Sequence, residues 1–135
     1  MGRQSIIDQL ETTLASISVA NGYSTDFSNV LVWDNTPTEY TENAIYIKDT
    51  REKYDKQGNK YTCTLRVEII AIAIESGSNT ADKLGNLALA DLIKAVTKVS
   101  YPGAFINLAD AHKWIDTKGK TACEVELNLD IKYQI

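Results

Sequence analysis

The last fifteen residues, Thr121–Ile135, constrain the fold more than any other segment. Cys123, Val125, Leu127, Leu129, Ile131, Tyr133 and Ile135 alternate with Glu124, Glu126, Asn128, Asp130, Lys132 and Gln134. A period of two puts the first set on one side of a β-strand and the second on the other, one buried and one wet. At about 3.3 Å per residue such a strand runs roughly 50 Å, whereas ordinary strands have about five or six residues. It must bend or outrun its own sheet. Phe105 to Ile115 leads in, and Asp116-Thr117-Lys118-Gly119-Lys120 is the turn of a hairpin.

Upstream, Tyr61 to Ile69 alternates in the same way, with Tyr61, Cys63, Leu65, Val67 and Ile69 against Thr62, Thr64, Arg66 and Glu68. From Ile70 to Ile74 the bulky residues move to even positions, with Ala71 and Ala73 opposite. Either a bulge flips the register or both faces are covered there. Asn29 to Trp33 and Ala44 to Lys48 read as short strands, separated by a loop in which Pro37 forbids a sheet interior. The charged stretch Asp49–Lys60 places Gly58 at a hairpin tip, and the arm before the tip pairs with the start of the following strand.

Two segments have helical period instead. Ile6, Leu10, Leu14 and Ile17, with Ile7 beside them, predict a helix from Ser5 to Val19. Ser5 is its expected cap, Asp8 the reciprocal carboxylate, and Asn21-Gly22 the left-handed stop. After the turn Ser76-Gly77-Ser78-Asn79, Asn79 or Thr80 caps a second helix ending near Val99. Leu84, Leu87, Ala88, Leu92, Ala95, Val96 and Val99 form its stripe, Leu89 and Ile93 widen it, and Tyr101-Pro102-Gly103 ends it. The order implies one α+β domain over residues 1–135, a two-layer arrangement with two helices on one face of a mainly antiparallel sheet.

Composition narrows function more than it defines it. The 135 residues are 44% hydrophobic and 24% charged, enough for a core without disulfides or metal. A net charge of −4 and no Lys/Arg cluster argue against a surface for gripping phosphates. No stretch is apolar enough to span a bilayer, and Ile6 breaks the myristoylation pattern that Gly2 would begin. Cys63 and Cys123 stand in apolar phase, as reduced core residues of a protein made in a cytoplasm.

The residues that could carry chemistry are few. His112 is the single histidine; Asp110, His112 and Asp116 share a strand face but match no zinc spacing. No Cys-x-x-Cys pair and no phosphate-binding glycine loop occur. Gly85 inside the second helix costs about 1 kcal/mol relative to alanine, which implies close packing on the sheet or a contact with another subunit. Glu124, Glu126 and Asp130 line the polar side of the last strand, where a flat alternation suggests solvent and no pocket to separate their pKa values. No catalytic residue, cofactor or metal is expected, and the chain reads as a non-enzyme.

Three blocks carry a resemblance. Arg3-Gln4-Ser5-Ile6-Ile7-Asp8 with Leu10, Leu14, Ile17 and Asn21-Gly22-Tyr23, Thr25 and Asp26 form the first. Val32-Trp33-Asp34 through Pro37 and Glu39 to Ala44-Ile45-Tyr46-Ile47 form the second, and the closing Ile131-Lys132-Tyr133 the third. Together they resemble the tail terminator and tail-completion (minor tail) proteins of long-tailed bacteriophages and prophages. Where such proteins often have a proline before the second strand, this chain has Asn43-Ala44.

The resemblance implies a structural virion protein, assembled in the bacterial cytoplasm and placed at the head-proximal end of the tail. It implies a ring, usually a hexamer, that caps the tail tube, stops its growth and meets the head-completion protein. DNA would pass through the ring without being specifically bound, and no membrane is involved. Glu124, Glu126 and Asp130 are then candidates for an acidic lumen. The hairpin residues Arg51, Glu52, Lys53, Asp55, Lys56 and Lys60 are candidates for partner contact, in an arm expected to be mobile in the free subunit. A head–tail connector or other tail-associated subunit is the nearest alternative, and a small-ligand-binding α+β domain is the alternative from another class.

Overall fold

A computed structural model describes residues 2–27, 29–98 and 100–135. The elements are α1 (Arg3–Leu14), a short 3₁₀ turn (Val19–Asn21), β1 (Asn29–Val32), β2 (Ala44–Gln57), β3 (Lys60–Ile74), α2 (Ala81–Lys98), β4 (Ala104–Lys118) and β5 (Lys120–Gln134). The strands form one sheet in the order β1-β2-β3-β5-β4. β1 is parallel to β2 and every other pairing is antiparallel, so the α+β class holds with a mixed sheet.

Both helices cover one face. Ile6, Ile7, Leu10 and Leu14 of α1 and Ala88, Leu92, Ala95 and Val96 of α2 join Cys63, Leu65, Val67, Ile69, Leu127, Leu129, Ile131 and Tyr133 in one core. Burial of this apolar surface is the main stabilising term. The small residues of α2 decide how near it comes: a Cβ on Gly85 would lie 2.3 Å from the sulfur of Cys123. Close packing of helix on sheet is therefore the reason for this glycine. Cys63 and Cys123 are both buried free thiols.

The register question at Ile70–Ile74 resolves as two covered faces. β3 pairs without interruption with β2 as far as Ile72 and with β5 as far as Ile74, and the ladder irregularities lie elsewhere, at Asp49/Arg51 in β2 and Leu108/Asp110 in β4. Ala71 and Ala73 stay on the helix side, where only small side chains fit beneath α2. Ile70, Ile72 and Ile74 lie on the opposite side with Tyr40, Ala44, Tyr46 and Ala122 in a second, smaller core. The loop between β1 and β2 covers this second core. It leaves β1 through Trp33, whose φ of 60° is rare for a residue with a side chain.

Several boundaries differ from the sequence expectation, each for a physical reason. α1 begins at Arg3 after Gly2, with no side-chain cap, so Ser5 lies within the helix and Asp8 accepts from Gln4 at 2.8 Å. The side chain of Arg3, the first helical residue, ties that end to the carboxylates of Asp49 and Glu52 on β2. α1 stops at Leu14, not Val19, because Ser16 and Ser18 turn to local backbone partners, and Gly22 (φ 88°) closes the 3₁₀ turn. Thr80 caps α2; Val99, assigned to its stripe from sequence, lies outside the described residues. The hairpin turn shrinks to Gly119 between paired Lys118 and Lys120. β5 does not outrun its sheet, since β3 and β4 are drawn out to the same length on either side. Ile135 falls outside the strand and is exposed.

Candidate functional site

The helix-free face of the sheet gathers most of the residues singled out by sequence. Residues paired directly across strands point the same way, so the register sorts them into rows. Tyr46, Ile70, Glu126 and His112 form one row across β2, β3, β5 and β4; Lys48, Glu68, Asn128 and Asp110 form the next; Arg51, Arg66, Asp130 and Asn107 form the third. Glu124, Glu126 and Asp130 do share a face, as their spacing implies.

They do not share an environment. Glu124 is 3% exposed beneath the crossing loop. The Tyr40 hydroxyl donates to its carboxylate, and the Lys118 ammonium stands 3.7 Å away and over the Tyr40 ring. Tyr40 is fixed in turn by its own N–H, which donates to the Lys118 carbonyl at 2.8 Å. Burial, followed by the hydrogen bond to Glu124, pushes the Tyr40 phenol well above its usual range. The expectation that Glu124 faces solvent is thus corrected: a loop distant in sequence covers it, and its charge is compensated locally. Asp130 is half-buried and paired with Arg66 at 2.9 Å. That pair offsets the like-charge opposition of Arg51 and Arg66 on neighbouring strands.

Glu126 and Asp110 meet at Asn128, whose side-chain amide donates to Asp110 at 2.6 Å and to Glu126 at 3.0 Å. Asn128 is itself 5% exposed. His112 lies 3.7 Å from Asp110, while Asp116 accepts the N–H of Thr117. Among the described residues, no three His, Cys, Asp or Glu side chains converge so as to hold a metal ion.

The hairpin arm divides as well. Arg51, Lys53, Asp55, Lys56 and Lys60 are exposed. Glu52 is not: its side chain is 8% exposed and receives Arg3 at 3.2 Å, the Tyr54 hydroxyl at 2.7 Å and the Tyr133 hydroxyl. Arg3 also bonds Asp49 at 2.6 Å, where Trp33 donates at 2.5 Å. Burial raises both carboxyls, but the hydroxyl, indole and guanidinium donors outweigh it and hold Asp49 and Glu52 below the ordinary carboxylate range. The β3 half of the arm pairs with β5 as far as Thr62, and Ile135 donates to the Tyr61 carbonyl at 3.2 Å, so the tip at Gln57–Lys60 extends past β5.

Two features were missed from sequence. Asp91, on α2 and 4% exposed, accepts the N–H groups of Ser24 and Thr25 at 3.0 and 2.8 Å and the Thr25 hydroxyl at 2.5 Å, pinning the segment after the 3₁₀ turn. Its only sequence signal is a carboxylate in an otherwise apolar phase of the helix. The second is an open groove of about 550 Å³ beside Phe105, lined by Thr62, Gly103, Phe105, Lys132, Tyr133 and Gln134. It holds neither a carboxylate nor the histidine.

Comparison of the chain with protein-family models and with curated proteins returns no match. Among the described residues no helix is long and apolar enough to cross a membrane.

Proposed function

We propose that the chain is a structural phage or prophage assembly protein that caps the head-proximal end of a tail tube as a ring of copies, ends tube growth and joins tail to head. The observation that carries this reading is the amount of uncovered sheet. β1 has only four residues, so among the described residues no strand flanks β2 beyond Ile47 on its outer side, and none flanks β4 on its outer side. The helices cover one face and the crossing loop covers only one end of the other. Long unpaired edges are a liability for a free monomer and an asset for a subunit. The sequence resemblance to tail terminators supplies the kind of assembly.

Glu126, Asp110 and the partly paired Asp130 are the acidic groups such a ring would turn to passing DNA; Glu124 is withdrawn from that role. Arg51, Lys53, Asp55, Lys56 and Lys60 remain the proposed partner contacts. The test is a capping assay on tail tubes growing from purified tube protein of the same phage. Substoichiometric chain should arrest elongation and leave tubes of fixed length with density at one end by electron microscopy. Continued elongation at saturating chain would overturn the reading.

A further inference from the structure

β4 is an edge strand, and from Asn107 to Thr117 each residue is exposed, with the Lys113 side chain half-covered where it bonds Asp82 and Asn86 of α2. Among the described residues its outward N–H and C=O groups as far as Thr117 meet no other strand, while the Lys118 carbonyl is taken by the Tyr40 N–H, and such an open ladder is the natural template for another strand. It also brings large apolar groups to the surface, with Leu108 45%, Trp114 40% and Ile115 51% exposed. The irregularity between Leu108 and Asp110 bends the first part of the strand, leaving Asp110–Lys118 as the regular stretch.

The side chains of this stretch are complementary to themselves in one register. Two copies related by a two-fold axis normal to the sheet pair antiparallel and keep their helices on the same side. Centred on Trp114, that symmetry sets Trp114 opposite itself, Asp116 opposite His112 of the second copy and Lys113 opposite Ile115, and it brings Asp110 opposite Lys118, whose ammonium already stands beside Glu124. Centred on Lys113, it opposes Lys113 to itself and Asp110 to Asp116. Centred on Ile115, it opposes His112 to Lys118. Directly opposed residues favour aromatic and opposite-charge pairs and penalise like charges, which selects the Trp114 centre.

We propose that the chain pairs with a second copy of itself in solution through β4, in the antiparallel register centred on Trp114. The contact continues the five-stranded sheet into one of ten strands and satisfies the open ladder on both sides. A two-fold contact closes after two copies, so it competes with any ring contact made through the same β4 edge and leaves the β2 edge open, and it does not rest on the tail reading.

Single-cysteine variants read the register directly. Opposed Cβ atoms lie about 4.5–5.5 Å apart and diagonal ones about 7–8 Å, while a disulfide needs roughly 3.5–4.5 Å. Under mild oxidation by glutathione, Trp114→Cys should give a covalent dimer, with Lys113→Cys and Ile115→Cys at least ten-fold slower; the buried Cys63 and Cys123 should stay out of the reaction. Light scattering of the unmodified chain should show twice its 15.0 kDa at high concentration. Asp116→Lys should raise the dimer dissociation constant about ten-fold or more, and combining it with His112→Asp should restore pairing while retaining Trp114. A monomer at every concentration, cross-linking no faster at position 114 than at 113 or 115, a six-fold mass without the 114 cross-link, or failure of the charge swap would each overturn the proposal.

Discussion

Replacing Gly85 with alanine tests the closest contact in the fold. In an exposed helix the change would stabilise by about 1 kcal/mol, because alanine restricts the unfolded backbone more than glycine does. Here the new methyl would meet the Cys123 sulfur at 2.3 Å, its Cβ at 3.0 Å and the Lys113 side chain at 3.2 Å. Lys113 is half-exposed and can swing aside, at the expense of its bonds to Asp82 and Asn86. Cys123 is fully buried on β5 and cannot. The sulfur contact is about 1 Å short of ordinary van der Waals distance, so α2 must lift from the sheet and loosen Ala88, Leu92 and Ala95. Overpacking of this kind costs about 1–3 kcal/mol. A contact this short belongs to the upper part of that range, about 2–3 kcal/mol, so after the helix gain of about 1 kcal/mol is subtracted a net loss of about 1–2 kcal/mol is expected, a fall of roughly 0.5–1 M in the urea midpoint. Equilibrium unfolding followed by far-ultraviolet circular dichroism measures it. Cys123→Ala removes the sulfur, so the double variant should recover about 1 kcal/mol relative to additivity. A Gly85→Ala protein as stable as the parent, or strict additivity of the two changes, would refute the packing argument.

Other expectations concern the polar ties. Tyr40→Phe leaves the buried Glu124 carboxylate without its hydroxyl donor and should cost about 1–3 kcal/mol, with faster hydrogen exchange in the Tyr40 N–H that bonds Lys118. Asp91→Ala orphans two N–H groups and a hydroxyl, and a loss of roughly 2–4 kcal/mol in urea unfolding is expected. Asp49 and Glu52 are held below their ordinary values of 3.8 and 4.5 in the folded chain, so on acidification the unfolded chain takes up protons first. Their stabilisation is complete above about pH 4.5 and is lost as pH falls through the lower, folded values. Urea midpoints measured from pH 7 down to 3 should decline at the acid end, and Glu52→Gln should flatten that decline.

The periodic parts of the fold were legible because a period reports local geometry. Ile6, Leu10 and Leu14 mark the buried side of α1, and Cys123 through Tyr133 mark the covered side of β5, without reference to any other element. What stayed hidden depends on residues far apart in the chain. Ile70, Ile72 and Ile74 could not be placed until Tyr40 arrived from the loop between β1 and β2, and the same arrival buries Glu124. The charged run Arg51–Gln57 shows no strand period because β1 is too short to flank it and much of its surface stays wet, so the hairpin tip at Gly58 was what marked its pairing with β3. Glu52 reads as one more charge in that run, yet its partners Arg3 and Tyr133 lie near opposite ends of the sequence.

That last convergence has a use in engineering. Arg3, at the start of α1, and Tyr133, at the end of β5, bond the same Glu52 carboxylate, so the two extremities of the chain lie side by side. A short flexible bridge of glycine and serine can therefore join them. New termini opened between Gly58 and Asn59, at the tip that projects past β5, would leave the shared pairings of the sheet intact and give a circular permutant that begins with β3.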